Sequence, residues 1–466
     1  MTDRSPKHAL PASPTNEKTA PSSLDDDSNV AGVAVPASRA SRLAGFSGIA
    51  AGVAGDVLAN GARQLVRGER VALDDLILTP GNAKRLADQL ARMRGAAMKV
   101  GQLLSMEAGD LIPEEFSVVL ARLRSAADPM PPRQLKQVLT REWGKGWLTR
   151  FDRFEPVPLA AASIGQVHRA RSLAGEELAI KIQYPGVRDS IDSDVDNVGV
   201  LIRMAGVLPS SVDIQHFLEE AKRQLHEEAN YEHEAEHLSF FYDQLTDDNR
   251  FIVPKLASEF TTSSILAMSF VAGEPIETLE QADQATRDRV VTDLIHLVMR
   301  ELFEWQTMQT DPNYANYQID PQTGQIILFD FGATRQFDDA ITAGYLHLMG
   351  AALNRDMDAA DKAMRAIGYF DEKITAFQHK TIMSIINMVL EPILAKEVYQ
   401  FGQDDLIVRI RDKGMTMRNE KFSHVPPIDT LFLQRKFGGL FFLASKLKAR
   451  VPVRAILQRY CSGKGH

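Results

Sequence analysis

The sequence predicts an α+β fold of two lobes, preceded by a helical N-terminal extension and followed by a helical C-terminal region. Three observations predict it. A chain of 466 residues is longer than one hydrophobic core usually supports, so we expect more than one lobe. Apolar residues alternate at a period of two around 164–183 and 316–329, which is typical of β-hairpins. Elsewhere they recur mostly at three- and four-residue spacing, which is typical of amphipathic helices.

The N-terminal part is predicted to be a tail followed by helices. The first forty residues are rich in Ser, Pro and Asp, a composition typical of disorder. From Asn82, a residue type that caps helices, apolar side chains recur at helical spacing up to Leu104 and predict a helix that carries Lys99. The predicted divisions are a disordered tail at 1–40, the helical extension at 41–150, the sheet-containing lobe at 151–275 and the helical lobe at 276–466.

The first hairpin is predicted from strands at 164–171 and 177–183, joined by a turn at Ala174 and Gly175. Successive side chains of a strand point to opposite faces, so Lys181 faces away from the apolar residues on either side of it. The predicted elements that follow are a long helix at 213–245, strands at 251–256 and 263–270, a loop at 271–275, a helix at 283–308, a second hairpin at 316–320 and 325–329, and helices from 338 to the end.

Composition excludes several classes of protein. The formal net charge of −8 gives no electrostatic footprint for nucleic acid. The single cysteine, Cys461, cannot form a disulfide within the chain. No stretch reaches the roughly 18–20 apolar residues that span a bilayer, and the N-terminus lacks a secretory pattern. We therefore expect a cytoplasmic protein.

Five residues occur in the order that phosphoryl transfer of the kinase type requires. Such a site needs a strand lysine for the phosphates, a helix glutamate to hold it, and Asp and Asn residues for the nucleophile and the metal. Asn316 lies five residues after Asp311, the spacing of a kinase catalytic loop. The five residues are Lys181, Glu234, Asp311, Asn316 and Asp330, the last of which begins Asp-Phe-Gly.

A zinc protease is the alternative from another class. His233, Glu234 and His237 match H-E-x-x-H, in which two histidines four residues apart on a helix can bind zinc. Phe240 occupies the position of the glycine in the extended motif, and Glu259 is a candidate third ligand. This reading leaves Lys181 and the aspartates unexplained, so we favour the kinase-like site.

Four motifs are characteristic when they occur together: Lys99-Val100-Gly101-Gln102, Ala160-Ala161-Ala162-Ser163-Ile164-Gly165-Gln166, Asp311 with Asn316, and Asp330-Phe331-Gly332-Ala333-Thr334-Arg335. Through these motifs the sequence, from about residue 45 to beyond 340, resembles the UbiB family, atypical kinase-like proteins of ubiquinone biosynthesis. The run Gln309–Asn313 resembles the subgroup shared by mitochondria and proteobacteria.

The resemblance implies a protein-kinase-like fold that binds ATP or ADP with Mg²⁺. It implies Mg²⁺ ligands at Asn316 and Asp330, and catalytic roles for Asp311, Lys99 and Glu228. Alanines replace the glycines that cover the phosphates in ordinary kinases, which predicts a stiffer loop because alanine resists positive φ. The implied nucleotide-binding residues are Lys181, Glu234, Ala160, Ala161, Ala162, Ser163, Gly165, Phe270 and Val271.

The resemblance also implies that the extension covers the active site, where a protein substrate would dock. Lys99 is implied to pair with Glu228, although Glu227 is an adjacent competitor. The family pattern Glu-x-Asp reads Glu228-Ala229-Asn230 here, so one carboxylate is missing. On one continuous helix Glu228 and Glu234 lie about 120° apart and can serve two different lysines.

The partners expected from the resemblance are nucleotide, membrane lipid, and proteins or phenolic precursors of the quinone pathway, with a homodimer as a further expectation. A peripheral location on the inner membrane of a bacterium follows. Contact is predicted through the glycine-rich segment Phe46–Val57, for which a flexible connector is the alternative, or through the basic, amphipathic run Phe437–Arg454, for which packing on the larger lobe is the alternative. The phosphoryl acceptor (water, a small molecule or a protein) stays open, as does a non-catalytic scaffold.

Overall fold

The computed structural model describes residues 95–96, 99–100, 129–162, 164–204, 214–403, 405–417 and 426–462. The predicted α+β class with two lobes is confirmed. The predicted tail, the glycine-rich segment and most of the extension helix lie outside the described residues, whereas residues 95, 96, 99 and 100 are helical.

The helices are α1 Pro132–Trp143, α2 Val187–Met204, α3 Ile214–Glu228, α4 Tyr231–Leu245, α5 Gln284–Phe303, α6 Asp339–Asn354, α7 Met357–Ile367, α8 Ala376–Val389, α9 Glu391–Leu394, α10 Leu406–Met415, α11 Ile428–Lys446 and α12 Val453–Cys461. The strands are β1 Phe151–Phe154, β2 Ala160–Ala161, β3 Gly165–Ser172, β4 Glu177–Gln183, β5 Phe251–Ile252, β6 Ile265–Ser269, β7 Glu274–Pro275, β8 Thr307–Gln309, β9 Tyr317–Ile319, β10 Ile326–Leu328, β11 Thr334–Gln336, β12 Tyr399–Gln400 and β13 Arg450–Val451.

The sheet of the smaller lobe has the antiparallel order β1-β3-β4-β6, and β2 pairs with β3. The first predicted hairpin is confirmed, and its turn places Gly175 at a φ of +86°, which a glycine adopts without strain. The apolar face of β4 packs on an aromatic cluster from α1 and β1. Lys181 stands on the opposite face and is therefore presented to the space between the lobes.

The helical layer beside this sheet differs from the prediction. The single helix expected at 213–245 is wrong, because α3 ends at Glu228 and α4 begins at Tyr231. Asn230 has extended backbone and caps α4, accepting a hydrogen bond from Glu232 N at 3.3 Å. Gln183 donates to the Ala229 carbonyl at 2.7 Å, so the break is also hydrogen-bonded to the end of β4.

Helix α2 has no counterpart among the predicted elements. Its apolar residues recur at four- and three-residue spacing and are buried, a signal that was present in the sequence. They are Ile191, Val195, Val198 and Ile202.

The larger lobe confirms the second hairpin and shortens two other elements. Strands β9 and β10 pair antiparallel, and β5 joins β10 in parallel register. The helix predicted to 308 ends at Phe303, because Thr307–Gln309 instead pairs with β11. The strand predicted at 251–256 contains only two residues.

The described residues of the C-terminal region are mainly helical, as predicted, apart from the short pair β12 and β13. The run Phe437–Arg454, a candidate membrane contact, buries Leu443, Ala444, Leu447 and Ala449 in the main core, while Phe442 is 50% exposed. Most of its apolar surface is therefore used in packing. Among the described residues, no helix has both the length and the apolar character to cross a membrane.

Candidate active site

Lys181 of β4 forms the centre of a buried ionic cluster. Its Nζ lies 2.7 and 2.9 Å from the two carboxylate oxygens of Glu234 on α4, and 3.4 Å from Oδ2 of Asp330. Lys181 is 8% exposed and Glu234 3%, whereas the Asp330 side chain is 43% exposed. The cluster therefore has a closed side at Glu234 and an open side at Asp330.

Electrostatics keep the cluster charged on its open side. Burial favours the neutral amine of Lys181, but Asp330 and Glu234 outweigh it and raise the pKa of Lys181 well above its ordinary value. Burial likewise opposes ionisation of Asp330, but Lys181 and the Gly332 N–H lower its pKa. Burial raises the pKa of Glu234 to about 7, although Lys181 acts against this.

Asp330 is held in an unusual backbone conformation. Its φ is +57°, in the left-handed region that non-glycine residues rarely occupy. The Gly332 N–H donates to Asp330 Oδ1 at 3.2 Å, and Phe331 stacks on Phe241 of α4 with ring centroids 4.7 Å apart. Strain at a polar residue in a cleft is characteristic of functional sites, where the surrounding contacts fix the conformation.

Asp311 and Asn316 are brought together after β8. Asn316 Nδ2 donates to Asp311 Oδ2 at 3.1 Å, and Thr310 Oγ1 donates to the Ala333 carbonyl at 2.7 Å. The second bond joins the segment of Asp311 to the segment that follows Asp330. The two motifs, separated in sequence, thus meet in one site.

Lys99 pairs with Glu228 at the end of α3, and both side chains are largely buried. Glu227 instead pairs with Arg223 at 2.8 Å. The pair lines one side of a small, partly open cavity. The cavity is lined by Lys99, Gln224, Glu227, Glu228, Thr310, Asp311, Gly332, Ala333, Arg335, Phe432 and Arg435.

Glu228 and Glu234 serve different lysines, but not for the predicted reason. The prediction placed both glutamates on one continuous helix. The break at Ala229 and Asn230 instead puts Glu228 on α3 and Glu234 on α4. Asn230 acts as the N-cap of α4, a position where Asn and Asp are nearly equivalent.

The alanine segment forms a short edge strand of the smaller lobe's sheet. Ala160 and Ala161 are exposed and pair with β3, and Ala162 N donates to the Gly165 carbonyl at 2.9 Å. Ser163 lies outside the described residues. A Cβ on Gly165 would stand 2.3 Å from the Ile182 carbonyl, so only glycine fits this approach to β4.

The end of β6 contributes the remaining predicted nucleotide positions. Phe270 N donates to the Glu177 carbonyl at 2.8 Å, and the Arg169 guanidinium covers the Phe270 ring at 4.5 Å. Val271 follows, half-buried, in the segment that connects the lobes. Both lie in the connection rather than in the ionic cluster.

The donor set fits a cation that arrives with phosphates, and not the zinc of a protease. No group of three His, Cys, Asp or Glu side chains is placed to hold a metal in the described ranges. His233 is exposed, and Glu234 is committed to Lys181, so the H-E-x-x-H alternative receives no support. Mg²⁺ is commonly held by one or two protein oxygens together with substrate phosphates, which suits Asp330 and Asn316.

Three residues of the site were not predicted as functional. Lys436 of α11 is 3% exposed and donates to the Gln309 carbonyl at 2.6 Å, to Gln309 Oε1 at 3.1 Å and to the Tyr317 hydroxyl at 3.0 Å. Tyr231 places its ring 5.1 Å from Lys181 Nζ. Arg335 lines the cavity with Asp311. Only Arg335, inside a quoted motif, carried a sequence signal.

A strand lysine held by a helix glutamate, an Asp-Asn loop and an Asp-Phe-Gly segment in one cleft define the kinase-like class. Residues 122–364 match the ABC1 atypical kinase-like domain. The chain belongs to this family, which confirms the resemblance to UbiB proteins found in the sequence.

Several relatives share most of the chain. It is 35% identical to the mitochondrial atypical kinase COQ8 of Saccharomyces cerevisiae over 90% of this chain and 83% of the relative. It is 35% identical to the mitochondrial atypical kinase COQ8B of Danio rerio over 90% of this chain and 68% of the relative. A solved structure of the Mycobacterium tuberculosis protein Rv3197 with erythromycin matches with a TM-score of 0.57 and 26% identity, over 81% of this chain and 95% of that chain.

These relatives overturn one prediction. The expected location, cytoplasmic and on the inner membrane of a bacterium, is wrong by this comparison, because the COQ8 relatives are mitochondrial proteins of eukaryotes. The prediction rested on the lack of a recognisable N-terminal targeting pattern. Amino-acid composition alone is a weak guide to targeting signals, which are recognised by receptors.

Proposed function

We propose that the chain binds ATP with Mg²⁺ between its lobes and acts as an atypical kinase or ATPase that supports ubiquinone biosynthesis at a membrane. The observation that carries the proposal is the cluster of Lys181, Glu234 and Asp330, with a closed anionic side and an open side. A lysine fixed in this way presents a positive charge to an incoming phosphate without conformational search.

Each predicted residue has a distinct task in this proposal. Lys181 binds phosphate oxygens, and Glu234 holds its side chain in position. Asp311 accepts the proton of the attacking hydroxyl or water, and the Asn316 amide orients the Asp311 carboxylate. The alanine segment and the start of the lobe connection at Phe270 and Val271 cover the nucleotide.

In this proposal the cation is bound by the side chains of Asp330 and Asn316. When present with the nucleotide, Mg²⁺ neutralises charge on the phosphate oxygens. The low pKa of Asp330 keeps its carboxylate ionised and ready as a ligand. The Asn316 side chain uses its nitrogen on Asp311, so its amide oxygen is the atom available to a cation.

The covered cavity favours a small acceptor or water over a folded protein. Lys99 and Glu228 line the cavity beside Asp311, where a protein substrate of an ordinary kinase would place its hydroxyl. A phenolic quinone precursor supplied from lipid is the acceptor class that joins this site to the pathway. A homodimer stays a prediction that no described contact addresses.

The direct test is phosphate release from ATP by the purified chain, with and without neutral or anionic vesicles and phenols. Asp311→Asn should lower kcat by about 100-fold or more, because it removes the proton acceptor, while Mg-ATP still raises the melting temperature. Asp243→Asn, an exposed residue of α4, is the matched control. Turnover of Asp311→Asn equal to that of the control would refute the assignment.

A further inference from the structure

Arg335 has a charge that the proposed nucleotide site does not use. Its side chain is 19% exposed, and its guanidinium lies over the Phe432 ring at 4.2 Å. The nearest carboxylates are Asp429 at 3.5 Å and Glu227 at 3.8 Å, longer than charge-assisted hydrogen bonds of about 2.7–2.9 Å. Nε of Arg335 is buried with no hydrogen-bond acceptor in the part of the chain that the structure describes.

Of the two carboxylate neighbours of Arg335, Glu227 is engaged elsewhere and Asp429 is partly exposed. Glu227 accepts a hydrogen bond from Arg223 at 2.8 Å, and its side chain is 44% exposed. Asp429 is 24% exposed. A buried Nε–H without an acceptor is costly, because this donor has left water without a replacement partner.

The position of Arg335 relative to Asp311 is fixed by the backbone. Strand β11 pairs with β8, with Arg335 opposite Met308 and Thr334 opposite Gln309. Asp311 follows two residues after Gln309, and both Asp311 and Arg335 line the same cavity. The stack on Phe432 fixes the plane of the guanidinium, which leaves its edge as the part that can meet a ligand.

We propose that Arg335 forms an oxyanion subsite beside Asp311, which takes a phosphate or carboxylate group. The planar fork of arginine matches either group through two parallel hydrogen bonds. The inference rests on the proposed function for the identity of the reaction but not for the anion itself. The oxyanion is either the terminal phosphoryl group of the nucleotide or an acidic group on the acceptor.

The test measures the melting temperature of the full chain with inorganic phosphate, in the presence and absence of saturating Mg-ADP. Phosphate should stabilise the wild type further when Mg-ADP already fills the nucleotide site. Arg335→Gln should lose most of this increment, and Arg335→Lys should keep part of it, since lysine retains the charge but not the fork. Arg150→Gln is the matched control, because Arg150 also stacks on a phenylalanine, 4.6 Å from the Phe260 ring, and lies outside the cavity lining.

The outcomes separate the two proposals. Stabilisation by Mg-ADP with a phosphate increment equal in Arg335→Gln and the wild type would overturn the subsite alone. An increment that depends on Arg335 without any effect of Mg-ADP would support the subsite and overturn the nucleotide site. A low melting temperature of Arg335→Gln before any addition leaves Arg335→Lys as the deciding variant, which must then show a reduced increment.

The rate of ATP hydrolysis identifies the source of the oxyanion. If Arg335 holds the group in transfer, Arg335→Gln lowers kcat about tenfold or more with KM for ATP nearly unchanged. If it holds an acidic group on the acceptor, hydrolysis with water stays at the wild-type rate while the phosphate increment is lost. An unchanged rate together with an unchanged increment contradicts the proposal.

Discussion

Lys181 and Lys436 are both buried lysines beside a buried glutamate, and they differ in what completes their surroundings. Lys436 contacts two oxygens of Gln309, the Tyr317 hydroxyl and Glu301, all within the larger lobe. Lys181 contacts Glu234 and the half-exposed Asp330 across the cleft. A lysine whose partners are all internal is structural, whereas one with an open partner can exchange that partner for a ligand.

The cluster around Lys436, here called the closed cluster, supports the cluster around Lys181, here called the open cluster. Gln309, whose side-chain and backbone oxygens accept from Lys436, also donates through Nε2 to the Asp330 carbonyl at 3.3 Å. Lys436 therefore positions the backbone of Asp330 and the start of the Asp311 loop through one residue. Because it acts through Gln309, Lys436 is a positioning residue and touches no predicted ligand.

The largest expected effect comes from breaking the closed cluster. Lys436→Met should lower the free energy of unfolding by about 3–5 kcal/mol, because it leaves Glu301 buried without its cation. Denaturant titration measures the loss. The double variant Lys436→Met with Glu301→Gln should recover a large part of it, and no recovery would show that packing rather than charge is responsible.

The next effect is the pH dependence of the open cluster. The pKa of Glu234 is raised by burial to about 7 from an ordinary value of 4.5, so the folded state binds the proton more tightly than the unfolded state. The resulting stability is fully present below about pH 4.5 and is lost as the pH rises to 7.

Comparison with Glu234→Gln isolates this contribution. The difference in unfolding free energy, wild type minus Glu234→Gln, should fall by roughly 3 kcal/mol between pH 4.5 and 7. A difference that stays constant or rises would mean that Lys181 keeps Glu234 ionised throughout the folded state.

Lys181→Met should lower the free energy of unfolding of the nucleotide-free protein by about 2 kcal/mol. This loss is smaller than the one expected for Lys436→Met. The carboxylate of Asp330 is half-exposed and stays hydrated, and Glu234 needs little free energy to take up a proton near pH 7. The same denaturant titration measures both variants. Equal losses in the two would remove the distinction between a closed and an open cluster.

The smallest effect concerns the break between α3 and α4. Asn230→Asp should change the unfolding free energy by only a few tenths of a kcal/mol, since either side chain caps a helix. Asn230→Ala should cost about 1 kcal/mol. A large stabilisation or a new Mg²⁺ dependence in Asn230→Asp would show that this position does more than cap α4.

The sequence predicted the open cluster far better than the closed one, for a physical reason. Lys181 interrupts an alternating apolar strand, and Asp330 belongs to a short motif, so local pattern is enough to single them out. Lys436 is one lysine in a helix rich in apolar residues, and its partner Gln309 lies 127 residues earlier. Only the folded chain shows that it is buried.

Elements whose structure depends on distant partners were mispredicted in the same way. Thr307–Gln309 continues the apolar pattern of α5 but becomes a strand because β11 pairs with it. The break at Ala229 and Asn230 lies inside an unbroken helical pattern, and a local signal, the capping preference of Asn230, was available there. Hairpins with turns of a few residues were predicted well, because their partners are close in sequence.

Binding of ATP with Mg²⁺ between the lobes is tested by the equilibrium affinity for ATP of the wild type and of Asp330→Asn, each with and without Mg²⁺. We predict that Mg²⁺ tightens binding to the wild type by about tenfold or more, and that Asp330→Asn loses most of this gain while keeping its Mg²⁺-free affinity. Equal dependence on Mg²⁺ in the two proteins would contradict the assignment of Asp330, and no ATP binding by the wild type would contradict the nucleotide site itself.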